Sequence, residues 1–113
     1  MTKPVKFQKY HKFGAKSFRA EDGTYWASEA EHKRWCDLKV LQRAGLIKDL
    51  VRQKRYILRV NGQTITSYTA DFEYWDNEGN VLVTEDKKGV RTRDYKLKAK
   101  LFKALEGRAI YET

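Results

Sequence analysis

Residues 84–89 read TEDKKG, two carboxylates set directly against two lysines and followed by glycine, and a further aspartate, Asp71, stands earlier in TADFEYW. Acids and a lysine converging from separate elements are a kit for hydrolysing a phosphodiester without histidine. Carboxylates suit Mg²⁺, a hard cation that prefers oxygen. The metal polarises the phosphoryl oxygen and lowers the pKa of its bound water. A lysine beside it orients or deprotonates that water and shields the developing charge. By itself TEDKKG reads as a solvated strand end, because acid–lysine triplets recur by chance in any charged chain.

Other chemistries fall away on inventory. No GxxxxGK[ST] phosphate loop is present. His11 and His32 are the only histidines, so a site built from several imidazoles is excluded, and no Ser-His-Asp arrangement is visible. The single cysteine, Cys36, rules out an intramolecular disulfide and a cysteine-based zinc site. A thiol dyad at Cys36 would need a histidine from far along the chain, so Cys36 reads as buried or idle.

The elements that must position the acids can be read from turn and period signals. Asp22-Gly23 marks a tight hairpin turn. Ser28 with Glu31 three residues on forms a capping box, opening a helix that runs to Ala44 with Gly45 as its stop. On that helix Glu31, Trp35, Leu38, Leu41 and Gln42 share one face. RYILRV and TITSYTADFEYW flank Asn61-Gly62 as a strand hairpin, and DNEGN turns into a third strand, VLVTEDKK. Arg93 to Leu105 returns to helical spacing, with Leu97, Leu101, Phe102 and Leu105 on the apolar side and Lys96, Lys100 and Lys103 nearly opposite. Gly107 ends it, and RAIYE is a short last strand. The fold class is α/β in the broad sense, a mixed α+β sheet in the order α-β-β-β-α-β behind a basic arm and hairpin. Residues 1–16 form the arm and 17–113 a single domain.

Strand parity divides the cluster. Asp86 and Lys88 point to one face, Glu85 and Lys87 to the other. Along the preceding strand Tyr68, Ala70, Phe72 and Tyr74 share a face, and Thr69, Asp71, Glu73 and Trp75 share the opposite one. An aspartate between Ala70 and Phe72 in a central strand is disfavoured and calls for a partner.

Charge points to the partner. Lysine and arginine number 24 against 15 acids, a formal charge of +9, and the pI is near 9.7. Such an excess attracts polyanions, nucleic acid first. From Lys87 to Lys103 there are eight basic residues (Lys87, Lys88, Arg91, Arg93, Lys96, Lys98, Lys100, Lys103) and one acid, Asp94, whereas ordinary surfaces mix signs. Lys9, Lys12 and Lys16 stand among aromatics in the arm, which suits phosphate contact and base stacking, although a frayed terminus explains the same residues. No apolar run approaches a spanning helix and the N-terminus has no apolar stretch of a secretory signal, so an intracellular setting without membrane is expected.

With Asp71, then Asp86-x-Lys88-Gly89, then a basic helix beginning Arg-Asp-Tyr-Lys-Leu-Lys, the sequence resembles the PD-(D/E)XK nuclease superfamily, whose restriction-endonuclease-like core has the same element order. More narrowly it looks like a small phage-encoded family related to endonucleases and Holliday-junction resolvases. Its markers here include Ser28-Glu29-Ala30-Glu31, Ile47-Lys48-Asp49-Leu50, Gln53, Tyr68-Thr69-Ala70-Asp71-Phe72 and Glu85-Asp86-Lys87-Lys88-Gly89. The resemblance implies that Asp71 and Asp86 bind Mg²⁺ (with Mn²⁺ able to substitute). It places the backbone carbonyl of Lys87 as a further ligand, Glu31 on the metal or its water, Lys88 near the attacking water, and Gln53 in support. Two departures stand out: Ala70 replaces the proline before the first aspartate, and Lys87 replaces the usual apolar middle residue. The second leaves Glu85-Asp86-Lys87 as an alternative frame.

The function these features predict is a Mg²⁺-dependent endonuclease on branched DNA, foremost a Holliday-junction resolvase. It would act as a homodimer because a junction is two-fold symmetric, in the host cytoplasm if phage-encoded. The alternatives are a flap, nicking or duplex-specific endonuclease, and a non-catalytic DNA-binding accessory protein on the same fold.

Overall fold

The computed structural model describes residues 17–88 and 90–113. The expectations for Lys9, Lys12, Lys16 and the arm, and for Gly89, lie outside the described residues. The chain divides into two compact units, Met1–Cys36 and Asp37–Thr113.

In the first unit β1 (Phe18–Arg19) pairs antiparallel with β2 (Tyr25–Trp26). The predicted turn forms: Gly23 takes φ 88, and Asp22 accepts from the Thr24 amide at 2.9 Å. The His32 ring lies 5.2 Å from Phe18 and 5.1 Å from Trp26, an aromatic nucleus for a small unit. Helix α1 (Glu29–Arg43) begins here, and the Glu31 amide donates to Ser28 Oγ at 3.1 Å, as the capping signal requires.

In the second unit α1 ends at Gly45, whose φ of 81 lets the Leu46 amide reach back to the Leu41 carbonyl. Strands β3 (Ile47–Val60), β4 (Gln63–Asp76) and β5 (Val81–Asp86) form an antiparallel meander. Helix α2 (Arg93–Glu106) then crosses over to β6 (Tyr111–Glu112), which pairs parallel to β5. The sheet is therefore mixed, in the order β3-β4-β5-β6, and the protein is a mixed α+β fold. β3 is longer than RYILRV alone indicated, because it begins directly after the α1 stop.

Helix α2 is set by its ends and its aromatics. Thr92 Oγ1 caps the Tyr95 amide at 3.1 Å, and Gly107 at φ 75 closes the C-terminus onto the Lys103 carbonyl. Tyr95 and Phe102 are its buried residues, packed with Leu58, Tyr68 and Ala70 of the sheet. Leu97 and Leu105 depart from the predicted apolar stripe and are 66% and 42% exposed. Two rings seven residues apart set the buried face, which turns Leu97 and Leu105 outward while Ala99 and Leu101 stay partly covered. Lys96, Lys100 and Lys103 are exposed as expected, whereas Lys98 is half-buried. Among the described residues no helix is long and apolar enough to cross a membrane.

Strict alternation along β4 does not survive. Tyr56 and Tyr68 are register partners and both pack on Phe102. Yet the Tyr56 hydroxyl donates to Glu73, an odd number of residues from Tyr68, and Thr84 Oγ1 donates to the same carboxylate oxygen at 3.0 Å. Glu73 therefore faces α2 together with Tyr68 and Ala70, against the expected parity. The reversal falls between Ala70 and Glu73, opposite Gln53, a non-glycine residue at φ 55, while the pairing itself runs without a register shift from Lys54↔Ala70 to Val51↔Glu73. A left-handed residue inside a strand turns the chain over locally.

Candidate metal and acid–lysine site

The site lies where β4 and β5 end side by side. The register Phe72↔Glu85 sets Asp71 level with Asp86 on the neighbouring strand. Their contacts interlock: the Asp71 amide donates to Asp86 Oδ1 at 3.3 Å, and the Lys87 amide donates to Asp71 Oδ2 at 2.8 Å. β6 fixes the segment from its other side, since the Thr113 amide donates to the Asp86 carbonyl at 2.9 Å and the Lys88 amide donates to the Thr113 carbonyl at 3.1 Å. A strand end that would fray in isolation is held by two neighbours.

Asp86 is 1% exposed. A carboxylate so covered needs partners, and it has them: the Tyr68 hydroxyl donates to Oδ2, and Lys88 Nζ stands 3.6 Å from the same oxygen. The Lys88 ammonium also lies 4.1 Å from the centre of the Tyr95 ring, so a carboxylate and a π face hold it from two sides. Tyr95 is itself oriented by donating to Glu112 Oε2 at 2.7 Å, and Arg91 pairs with Glu112 at 2.5 Å. Burial first, and then the hydrogen bond to Asp86, push the Tyr68 hydroxyl well above the ordinary tyrosine range. Burial and the hydrogen bond to Glu112 do the same for Tyr95. Both phenols therefore stay protonated donors at neutral pH.

The alternative frame has different surroundings. Glu85 is fully buried, and its Oε1 accepts from the Tyr74 hydroxyl at 2.7 Å. The Lys87 side chain is exposed. Asp71, Asp86 and Lys88, with the Lys87 backbone, are thus gathered together, while Glu85 is spent on an internal hydrogen bond.

Gln53 lies level with Asp71 across the β3–β4 register and is exposed. Glu31 is buried in the first unit. Among the described residues no group of three or more His, Cys, Asp or Glu side chains could hold a metal ion. Asp71 and Asp86 are the two carboxylates here that could share a Mg²⁺ ion. That suits the ion, which is usually held by one or two carboxylates with water and phosphate oxygens completing its shell. Arg91, expected on DNA, is tied to Glu112, and Lys98 lines a cavity of about 320 Å³ together with Lys88, Ser67, Thr69 and Asp94.

Sequence reasoning missed Tyr68, Tyr95 and Glu112. The spacing that puts Tyr95 two residues past the start of α2 was visible, but its contact with Lys88 depends on the crossover. A second miss concerns Cys36, which is exposed and has His32 Nε2 3.7 Å from its sulfur. The histidine comes from one helical turn earlier rather than from far away, since residues i and i+4 are neighbours on a helix.

Residues 10–110 match a family model described as "Protein of unknown function (DUF1064)". The chain belongs to that family. No curated protein and no solved structure matches it. The match spans both units, so the acid–lysine arrangement of this DUF1064 member lies inside the family region together with α1 and α2.

Proposed function

We propose that this protein is a Mg²⁺-dependent DNA endonuclease of the PD-(D/E)XK kind, acting on branched DNA with four-way junctions as its first substrate. The observation that carries the reading is the gathering of Asp71, Asp86 and Lys88 at adjacent strand ends while Glu85 turns to Tyr74. The order α1-β3-β4-β5-α2-β6, with β6 parallel to β5, supports it.

When bound, Mg²⁺ would polarise the phosphoryl oxygen and lower the pKa of its water. Asp71, Asp86 and the Lys87 carbonyl would supply its protein ligands, with Gln53 in support. Lys88, steadied by Asp86 and Tyr95, would offer its ammonium to the charge that develops on the phosphate. The exposed lysines of α2 would hold the DNA backbone. A homodimer matches a two-fold junction, and an intracellular setting goes with the substrate.

A panel of junction, flap, nicked and linear DNA with Mg²⁺ or Mn²⁺ tests this directly. Junctions should be cut in preference, and Asp86→Asn should stop cleavage while DNA binding persists. If Asp86→Asn cleaved like the parent, the assignment would be wrong; cutting only one linear sequence would remove the junction specificity. The near-complete burial of Asp86 favours a second reading, DNA binding without cleavage. In that case neither metal would bind or support cutting of any substrate.

A further inference from the structure

From Leu50 to Ala70 the chain carries four cations, Arg52, Lys54, Arg55 and Arg59, and no acid. The same stretch leaves the sheet. β5 pairs with β4 only from Phe72 to Asp76, so Gln63–Ala70 run on with β3 as a two-stranded ribbon. Asn61 and Gly62, at φ 51 and 81, close it with a tight turn. Helix α2 packs on one face, over Tyr56, Leu58, Tyr68 and Ala70. The register sets Arg55 beside Thr69 and Ile57 beside Ser67 on the other face. Ile57 and Ile65 are 45% and 56% exposed.

The side chains of Lys54 and Arg55 make no ion pair or hydrogen bond among the described residues, and Arg59 donates only to Thr64 Oγ1, at 3.2 Å. Exposed cations gathered without a counter-charge attract a polyanion. A two-stranded ribbon matches the width of the DNA major groove, and exposed aliphatic side chains suit the thymine methyls there. We propose that the β3–β4 ribbon is a second DNA-contacting surface, separate from the α2 lysines, that grips a duplex arm through Arg55 and Arg59. The proposal rests on the endonuclease reading for its substrate. The competing account is that the cations merely keep an edge strand from pairing with another copy.

The test is fluorescence anisotropy on duplex and four-way junction DNA in EDTA, so that binding is read without cleavage. Parent protein and the R55A/R59A variant are each titrated with salt, with melting by circular dichroism as the control for folding. The dependence of log K on log salt should flatten by about one per lost phosphate contact, about two in all, with weaker binding to both DNAs. Parent-like affinity and slope in a folded variant would overturn the proposal. So would self-association of the variant, seen by sedimentation, with unchanged DNA affinity. The two readings fail separately. A parent that binds DNA but cuts nothing in Mg²⁺ or Mn²⁺ ends the endonuclease reading, while a flattened slope in the variant keeps the ribbon. A parent that cuts, beside a variant that binds like it, ends the ribbon alone, and a parent that binds no DNA ends both.

Discussion

Asp86 is the residue on which the site turns, because burial makes its partners obligatory. Tyr68→Phe removes the hydroxyl that donates to Oδ2 and should destabilise the fold by about 1.5–3 kcal/mol, as expected for a hydrogen bond to a charged group, measured by urea unfolding. Lys88→Ala should lose cleavage and leave DNA affinity nearly intact. Glu85→Gln should cut like the parent, because the amide oxygen still accepts from Tyr74. If Glu85→Gln and Lys87→Ala were the inactive pair, the frame would be reversed. The parity of Asp86 and Lys88 against Glu85 and Lys87 was legible in the sequence, since a strand alternates over so short a run. The support from Tyr68 and Tyr95 was not, because it depends on which rings α2 brings over the sheet.

At the level of elements, α2 is the piece whose loss would be felt most. Phe102 is fully buried and touches the Tyr56 and Tyr68 rings, so Phe102→Ala should cost about 3–5 kcal/mol in denaturant titration. The capping signals at Ser28, Gly45 and Gly107 read correctly because a cap needs only local chain geometry. The apolar stripe of α2 did not, because three leucines compete for one face and two large rings won it. Gln53 is a separate matter. Its positive φ suits glycine better than glutamine. Gln53→Gly should therefore keep or raise the melting temperature, and Gln53→Val should lower it; cleavage lost in the glycine variant would mark a side-chain role at the site.

For the whole molecule, pH offers a test that does not depend on any ligand. Tyr56, Tyr68 and Tyr95 all have their hydroxyls pushed above the ordinary tyrosine value of about 10, chiefly by burial. The folded chain therefore keeps protons that the unfolded chain releases. Their contribution is fully present below about pH 10 and declines as pH rises from there toward the higher folded values. Urea unfolding across this range should show stability falling steeply above pH 10, and less steeply in a Tyr68→Phe/Tyr95→Phe variant. A slope unchanged by that substitution would show that these phenols titrate normally.

The sequence by itself determined the order of elements, their caps and turns, the basic character and the presence of two acid–lysine frames. All of these depend on local geometry or on composition. Only the tertiary structure decided that Asp71 lies level with Asp86, that Glu85 is consumed by Tyr74, and that Lys88 rests on Tyr95. Each of those pairings joins residues distant along the chain. They are set by strand register, by the irregularity at Gln53, and by the crossover that carries α2 over the sheet before β6 returns beside β5.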